Sequence, residues 1–383
     1  MLLYSVIMRI AFVSDTAAPW HVGGVESTER AEAEELAKHH EVHFYSFRWK
    51  GMKEEFVDSG IHYHTRHYIT ENSIWHDERR RSIRQAVRFA YATLDIFSRK
   101  VDVVQASAFP FLHLPVVWLY CKLNGSKFII DVPEVWDLDY WRGYIGYLFG
   151  TIANIISNLT LRLADLYISN PGNVYEKLIG IGIKRSKVHA FSPIIDSSAV
   201  SKIKAKKSKC LVVSVGRFAD YKRFDSVLYA IKNASGMCPD VRCILVGEGH
   251  EERRLRKIIN ELGLGASVSI RKRYRDKLKL YSLIKSSSLM LNMSEREGLS
   301  ATVLESLALG TPVLLPSYSP IPDVVKEMCI VCDVDDIPSM IASICRSKSK
   351  SGFLKKRKNL EIFSTSGIER FYNRVFRQLG LSK

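Results

Sequence analysis

Four side chains in the second half of the chain, Arg217, Lys222, Glu297 and Glu305, suit one kind of ligand by type and spacing. An arginine grips phosphate oxygens as a fork, and a lysine five positions on adds a point charge, so the pair in "VGRFADYKRF" suits a diphosphate. The glutamates stand eight positions apart in "EGLSATVLESLALGTPV" and can accept hydrogen bonds from sugar hydroxyls. A helix N-terminus between them, around residues 298 to 301, would aim free N–H groups at the same anion. Carboxylates on either side of a diphosphate would hold a ribose and a hexose, and the spacing matches the two sugars of a nucleotide-sugar. Taken singly, each piece has a plainer reading: a basic loop, a loop charge at Glu297, a solvated helix residue at Glu305.

The elements that must position these groups are legible. Ser300 is a plausible N-cap, and Gly310 with Pro312 beyond it marks a stop. Val303, Leu304, Leu307 and Ala308 share one helical face, which turns Glu305 to another side. In the first half, "RIAFVSD", a helix over about 25–38, "EVHFYSF", "VDVVQAS", "KFIIDV" and "LYISN" alternate as strand and helix. After a Lys/Ser linker at 201–209 the pattern restarts with "CLVVSVG", "RCILVGEG", "SVSIRK", "LMLNMS" and "PVLLPS". Such alternation predicts an α/β chain of two Rossmann-like doubly wound parallel sheets facing a central cleft, with ligands outside the carboxyl ends of the strands. The expected domains are residues 1–200 on the acceptor side, 201–365 for the nucleotide-sugar, and a closing helix in 366–383 packing back towards the first domain.

Other strand ends carry weaker signals. Gly23 and Gly24 in "DTAAPWHVGGVE" suit either a tight turn or a backbone approach to an anion. The Gly247 and Gly249 pair lacks the rest of a dinucleotide fingerprint and reads as a turn. Asp15, Asp131, Glu134 and Asp137 are acids that could orient or deprotonate an acceptor hydroxyl, or could cap helices. Trp136, Tyr140 and Trp141 could stack on an acceptor sugar or pack in an interface. The histidines at 62, 64 and 67 alternate as on a strand or loop edge, and a metal there is not expected.

Composition bounds the class. A chain of 383 residues with 46% hydrophobic and 25% charged residues is globular and too long for one core. Seven scattered cysteines include one CxxC, Cys329 and Cys332 in "MCIVC", with no partner pair; they read as core thiols of a reduced, cytoplasmic protein. Residues 1–200 hold 22 basic and 22 acidic side chains, and 201–383 hold 34 and 18, so the net charge of +16 belongs to the second half. That half would attract phosphates, anionic lipid or nucleic acid, or would be only a solvated basic surface. The opening "MLLYSVIMRIAFVSD" reads as a first strand near Met8 rather than a leader. Residues 146–168 reach membrane-span length but contain Asn154, Asn158, Arg162 and Asp165, so a buried or interfacial helix is expected, with core burial the simpler account.

With "VGRFADYKRF", "LVGEG" and the Glu297-to-Glu305 segment in this order, the chain resembles the retaining GT-B glycosyltransferases of family 4, the "glycosyl transferases group 1". The likeness runs from "VGGVE" to "FSTSGIERFYNRVFRQL". The resemblance implies that Arg217 and Lys222 bind the donor diphosphate and stabilise its departure, with Glu297 on the transferred sugar and Glu305 on the ribose. Gly298, Leu299 and Ser300 would supply the donor-side backbone, and Gly23 and Gly24 would approach the phosphates from the first domain. It implies retention, no metal or other cofactor, and UDP- or GDP-hexose as co-substrate. Two departures stand out: Ser107, with Gln105 near it, occupies the place where relatives carry a histidine, and "EGLS" replaces the usual EGFG. The acceptor-side candidates are therefore Asp15, Ser107, Asp131, Glu134 and Trp136. The implied acceptor is a carbohydrate or lipid-linked molecule, with peripheral contact at an anionic membrane as a further expectation. Nucleotide-sugar epimerisation or hydrolysis on the same fold is an alternative, as is a non-catalytic basic binder. No groove-reading motif supports a nucleic-acid partner.

Overall fold

A computed structural model describes residues 7–21, 23–70, 73, 80–297, 299–347 and 360–381. The chain forms two compact units, one of Met1–Pro193 with Thr365–Lys383 and one of Ile194–Ser364.

The first unit is built on an eight-stranded sheet of β1 (Arg9–Val13), β2 (Glu41–Arg48), β3 (Glu55–Asp58), β4 (Ile61–Tyr68), β5 (Val103–Ser107), β6 (Lys127–Val132), β7 (Leu166–Ser169) and β8 (Val188–Ala190). Their spatial order is β3-β4-β2-β1-β5-β6-β7-β8, parallel except for β3. Central strands such as β5, whose residues are all buried, are screened from water on both faces because helices cover both sides of a parallel sheet. Those helices include α1 (Gly24–Leu36), α2 (Ile83–Ala92) with a 3-10 turn over Thr93–Ser98, α3 (Leu114–Asn124), α4 (Leu138–Ile145) and α5 (Tyr147–Thr160). The β3–β4 hairpin turns at Ser59 and Gly60, both with positive φ, the backbone that a two-residue turn between right-twisted strands requires.

In the second unit β9 (Leu211–Val215), β10 (Arg242–Val246), β11 (Val268–Arg271), β12 (Leu289–Leu291), β13 (Val313–Pro316) and β14 (Ile330–Cys332) form a parallel sheet in the order β11-β10-β9-β12-β13-β14. Two of its helices matter below, α6 (Lys277–Ser286) and α7 (Ala301–Leu309). The chain then returns to the first unit as α8 (Ile368–Gln378), whose Ile368, Phe371, Tyr372, Val375 and Phe376 are buried in that unit's core. Phe371 stacks on Phe191 with ring centroids 3.9 Å apart.

One seam of that core is polar. The Tyr372 hydroxyl lies 2.9 Å from Glu32 Oε2 and 2.7 Å from Gln105 Oε1, and Gln105 Nε2 donates to the same Glu32 oxygen at 2.9 Å. Burial, and for Glu32 the neighbouring Asp131, push these two acids up, Asp131 to about 7 and Glu32 to about 8. Acids with raised pKa values in the folded state keep protons that the unfolded chain has lost, so stability declines as pH rises from the usual carboxylate range through about pH 8. Stability should therefore fall between about pH 5 and about pH 8, and Glu32→Gln should reduce that fall. Tryptophan fluorescence melts read this unit alone, because all six tryptophans precede residue 142. An unchanged slope in Glu32→Gln would remove the seam as its cause.

Candidate functional site

The strand order of the second unit reverses between β9 and β12, so the loops after these neighbouring strands flank a topological switch point. The first loop carries Arg217 and Lys222, the second Glu297. Lys222 Nζ forms an ion pair with Glu297 Oε1, with both side chains largely buried. Further bonds tie the loops together. Glu295 N donates to Tyr221 O at 2.9 Å, Ser294 Oγ donates to the same oxygen at 3.3 Å, and Arg223 pairs with Glu295. The Arg296 guanidinium lies 5.3 Å from the centre of the Tyr221 ring. Arg217 is exposed at the end of β9.

A second clamp holds the β9 loop from the other side. Phe218 N donates to Glu248 O at 2.9 Å, and a Cβ on Gly247 would fall 1.9 Å from Gly216 O. Gly247 is thus required by a close backbone approach, and the "GEG" stretch serves as a turn that supports the β9 loop.

α7 begins after Ser300 and stops at Gly310, whose φ of 80° is the left-handed cap favouring glycine. Ser300 holds the N-cap position with extended backbone, but its side chain does not cap; its Oγ faces Asn292 Nδ2 at 3.5 Å and Thr302 Oγ1 at 3.3 Å. The N–H groups of the first turn are therefore left without a side-chain cap from Ser300. Leu299 is half-buried against the core, and Gly298 lies outside the described residues.

Glu305 corrects its plainer reading: it is buried, not solvated. The Tyr281 hydroxyl on α6 donates to Glu305 Oε1 at 3.1 Å, and Lys277 Nζ approaches the same oxygen at 3.0 Å. Burial and the adjacent Glu305 hold the Tyr281 phenol well above its ordinary pKa, so it stays a donor. A buried carboxylate with one oxygen engaged by its own unit is a fixed acceptor rather than a mobile surface charge.

In the first unit, Asp15 follows β1 and Ser107 ends β5, again where the strand order reverses. Asp15 is buried and bonded to Arg81 at 3.1 Å. Burial raises its pKa, with Glu26 adding to the rise and Arg81 opposing it. Gly23 is the N-cap of α1 and Gly24 its first residue. Beside them Glu26 accepts from Thr16 Oγ1 at 3.0 Å and lies 3.0 Å from His21 Nδ1. Burial opposes its ionisation, yet the His21 hydrogen bond and charge bring its pKa down to about 2. His21, Glu26 and Arg81 were not singled out in the sequence, although the first two lie inside the "DTAAPWHVGGVE" stretch.

Ser107 is buried, and its carbonyl accepts from His113 Nε2 at 3.0 Å. Burial pushes the His113 imidazole down to about 3, so this histidine is a neutral strut inside the core. Asp131 lies beside Ser107 in the register of β5 and β6. Glu134 accepts from Trp136 Nε1 at 2.8 Å, and Trp136 packs among Phe109, Tyr140, Trp141 and Tyr144. Asp137 caps α4 by accepting from Tyr140 N at 3.0 Å.

Among the described residues, two sets of three side chains bring potential metal ligands together: Cys210, Cys238 and Cys345, and Asp220, His250 and Glu251. The three thiols, far apart in sequence, meet as buried free thiols in the second unit's core.

Two family models match the chain, "Glycosyltransferase Family 4" over residues 22–199 and "Glycosyl transferases group 1" over residues 197–361. An uncharacterized glycosyltransferase of Haemophilus influenzae is 31% identical over 143 residues, 37% of this chain and 40% of that protein. The chain thus spans less than half the length of that curated relative. Among solved structures, the sucrose-phosphate synthase of Thermosynechococcus elongatus aligns with a TM-score of 0.73 at 15% identity, covering 97% of this chain and 99% of the other. Anabaena HepE, in complex with UDP and glucose, aligns with a TM-score of 0.70 at 15% identity over 97% and 100% of the two chains. The two Rossmann-like α/β units of this chain have the GT-B fold.

Proposed function

We propose, from family models that match both halves of the chain, that it is a retaining, metal-independent glycosyltransferase moving a hexose from a UDP- or GDP-sugar to a carbohydrate or lipid-linked acceptor. The observation that carries this reading is the convergence of Lys222 and Glu297 at the switch point of the second sheet, beside the N-terminus of α7 with its buried Glu305. Lys222 and Arg217 neutralise the donor diphosphate, and the uncapped first turn of α7 adds backbone donors. Charge builds on the leaving oxygen as the glycosidic bond breaks, so these cations lower the barrier where a divalent ion would otherwise serve. Glu305 accepts from the ribose with its oxygen oriented by Tyr281 and Lys277, and Glu297 accepts from the hexose once Lys222 turns to phosphate. The Gly23–Gly24 start of α1 is assigned to the donor as well. Asp15, Ser107, Asp131, Glu134 and Trp136 are the acceptor-side groups of this reading, which also places the enzyme in the cytoplasm, peripheral to the membrane.

The experiment is a thermal-shift panel of UDP, GDP, ADP, TDP and CMP, with and without sugars, in the presence of EDTA. A nucleotide diphosphate at about 100 times its dissociation constant should stabilise the protein by about 2.7 kcal/mol. Glu305→Ala should lose most of that shift through the missing ribose contact. If no nucleotide shifts the protein, or one does so only with added metal, the donor site proposed here is wrong.

A further inference from the structure

α5 is packed inside out. Its buried positions are the small Gly150, Ser157 and Thr160, and a Cβ on Gly150 would lie 2.4 Å from Trp141 O, so the small side is seated hard on α4. Its large apolar residues point outward: Leu148, Ile152, Ile155 and Leu159 follow one helical stripe and are 45% to 67% exposed. The helix contains no charged residue. A soluble amphipathic helix shows the opposite pattern. Of residues 146–168 the core takes up the end beyond α5, with Leu161, Ala164, Leu166, Tyr167 and Ile168, but not the apolar stripe of α5 itself. The reason is local: the only side of α5 that can approach α4 closely enough is the one bearing the glycine.

The same surface continues over neighbouring elements. The connections β4 to β5, β5 to β6 and β6 to β7 all cross the sheet in one direction, so right-handed crossovers place α2, α3 and α5 on one face. α1 makes its crossover in the other direction and packs with α8. On α2 and its 3-10 extension, Ile83, Val87, Tyr91, Leu94 and Phe97 form an exposed stripe, and Leu119 and Leu123 do so on α3. Thirteen of the sixteen exposed large apolar side chains described in the first unit fall on these three segments. An exposed apolar area of this extent on one face marks an interaction surface.

Its charge selects the occupant. The charged residues on the three segments are Arg84, Arg88 and Lys122, with one acid, Asp95, whose carboxylate is held by Arg66 at 2.9 Å. A second copy docked face to face would set these cations against their own equivalents. No described helix is long and apolar enough to cross a membrane, which leaves a helix face that lies in the interface instead of spanning it. We propose that α2, α3 and α5 form a docking face for an anionic lipid surface, with the α5 stripe entering the acyl boundary and Arg84, Arg88 and Lys122 at the headgroups. The assignment names the surface behind the membrane contact given above, but it does not depend on the donor chemistry.

Co-sedimentation of the full chain with vesicles tests it. The protein should pellet with mixed phosphatidylcholine–phosphatidylglycerol vesicles and far less with phosphatidylcholine alone. Replacing Leu148, Ile152 and Ile155 by glutamine should weaken binding about tenfold or more, since each enters the interface through apolar area. Arg84→Gln with Arg88→Gln should weaken binding to the anionic vesicles about 25-fold and leave the weak binding to phosphatidylcholine unchanged. The glutamine triple variant should keep the wild-type melting midpoint and nucleotide shift, which separates loss of docking from failure of the donor site. Absence of pelleting at low salt overturns the proposal. So does pelleting that the triple variant retains, or concentration-dependent self-association that it abolishes without lipid.

Discussion

Lys222→Ala should lower the rate of sugar transfer about 10²–10³-fold at saturating donor, the cost of losing one preorganised donor to a leaving anion. The size follows from the pairing seen here. Lys222 is held against Glu297 by loops that are bonded to each other, so a cation already stands at the proposed diphosphate site without rearrangement of the chain. The substitution also strips Glu297 of its partner in a largely buried place. A melting experiment must therefore accompany the rates, and Glu297→Gln with Lys222→Ala relieves the unpaired charge. Lys222→Arg keeps the charge and should lose less activity than the alanine, though the wider guanidinium cannot repeat the lysine contact. A Lys222→Ala enzyme with near-normal rates would show that the phosphate charge is met elsewhere and would remove this residue from the mechanism.

Phe371→Ala should cost the first unit about 3–5 kcal/mol. Phe371 is buried between Phe191, on which it stacks, and Tyr372, and it belongs to a helix whose whole inner side lies in the core of Met1–Pro193. For a unit of this size each kcal/mol moves the midpoint about 2–4 °C, so the tryptophan-detected melt should fall by about 6–20 °C. Nucleotide-dependent shifts should persist wherever the second unit remains folded. Loss of less than about 1 kcal/mol would mean that α8 is an accessory strap and that the first unit is complete without it.

Much of this architecture could be read from the sequence because parallel strands buried on both faces are continuous apolar runs. "VDVVQAS" and "KFIIDV" contain β5 and β6, and the capping residues of α7 placed that helix over Ala301–Leu309. Of the β3–β4 hairpin only the alternation of His62, His64 and His67 was legible, because "EFVD" and "IHYHTRHY" carry charges and histidines along a sheet edge. There the alternation is diluted and the only strong mark is the Ser59–Gly60 turn. The acids of α1 were missed for a different reason. Glu26, Glu29 and Glu32 are all buried, yet in "VESTERAEAEEL" they are indistinguishable from the solvated glutamates beside them. Their burial is decided by partners such as His21, Gln105 and Tyr372, the last 340 positions from Glu32. In the second unit, types and spacing picked out Arg217, Lys222, Glu297 and Glu305 together, and of these the structure pairs Lys222 with Glu297. Periodicity could not show that α5 faces outward, since an apolar helix reads alike whether it points into a core or away from it.

The return of α8 to the first unit sets an order of events during synthesis. Ile194–Ser364 has its whole sequence as soon as residue 364 has left the ribosome, whereas the unit that is made first still lacks Ile368, Phe371, Tyr372, Val375 and Phe376. At roughly 5–20 residues per second, the intervening stretch keeps that core open for about 10–30 seconds, with Glu32 and Gln105 waiting for the Tyr372 hydroxyl. The later-made unit can therefore finish folding before the earlier one. Throughout that delay the nascent chain exposes both its unfinished core and the apolar side of α5, and it is most exposed to chaperones and to aggregation then.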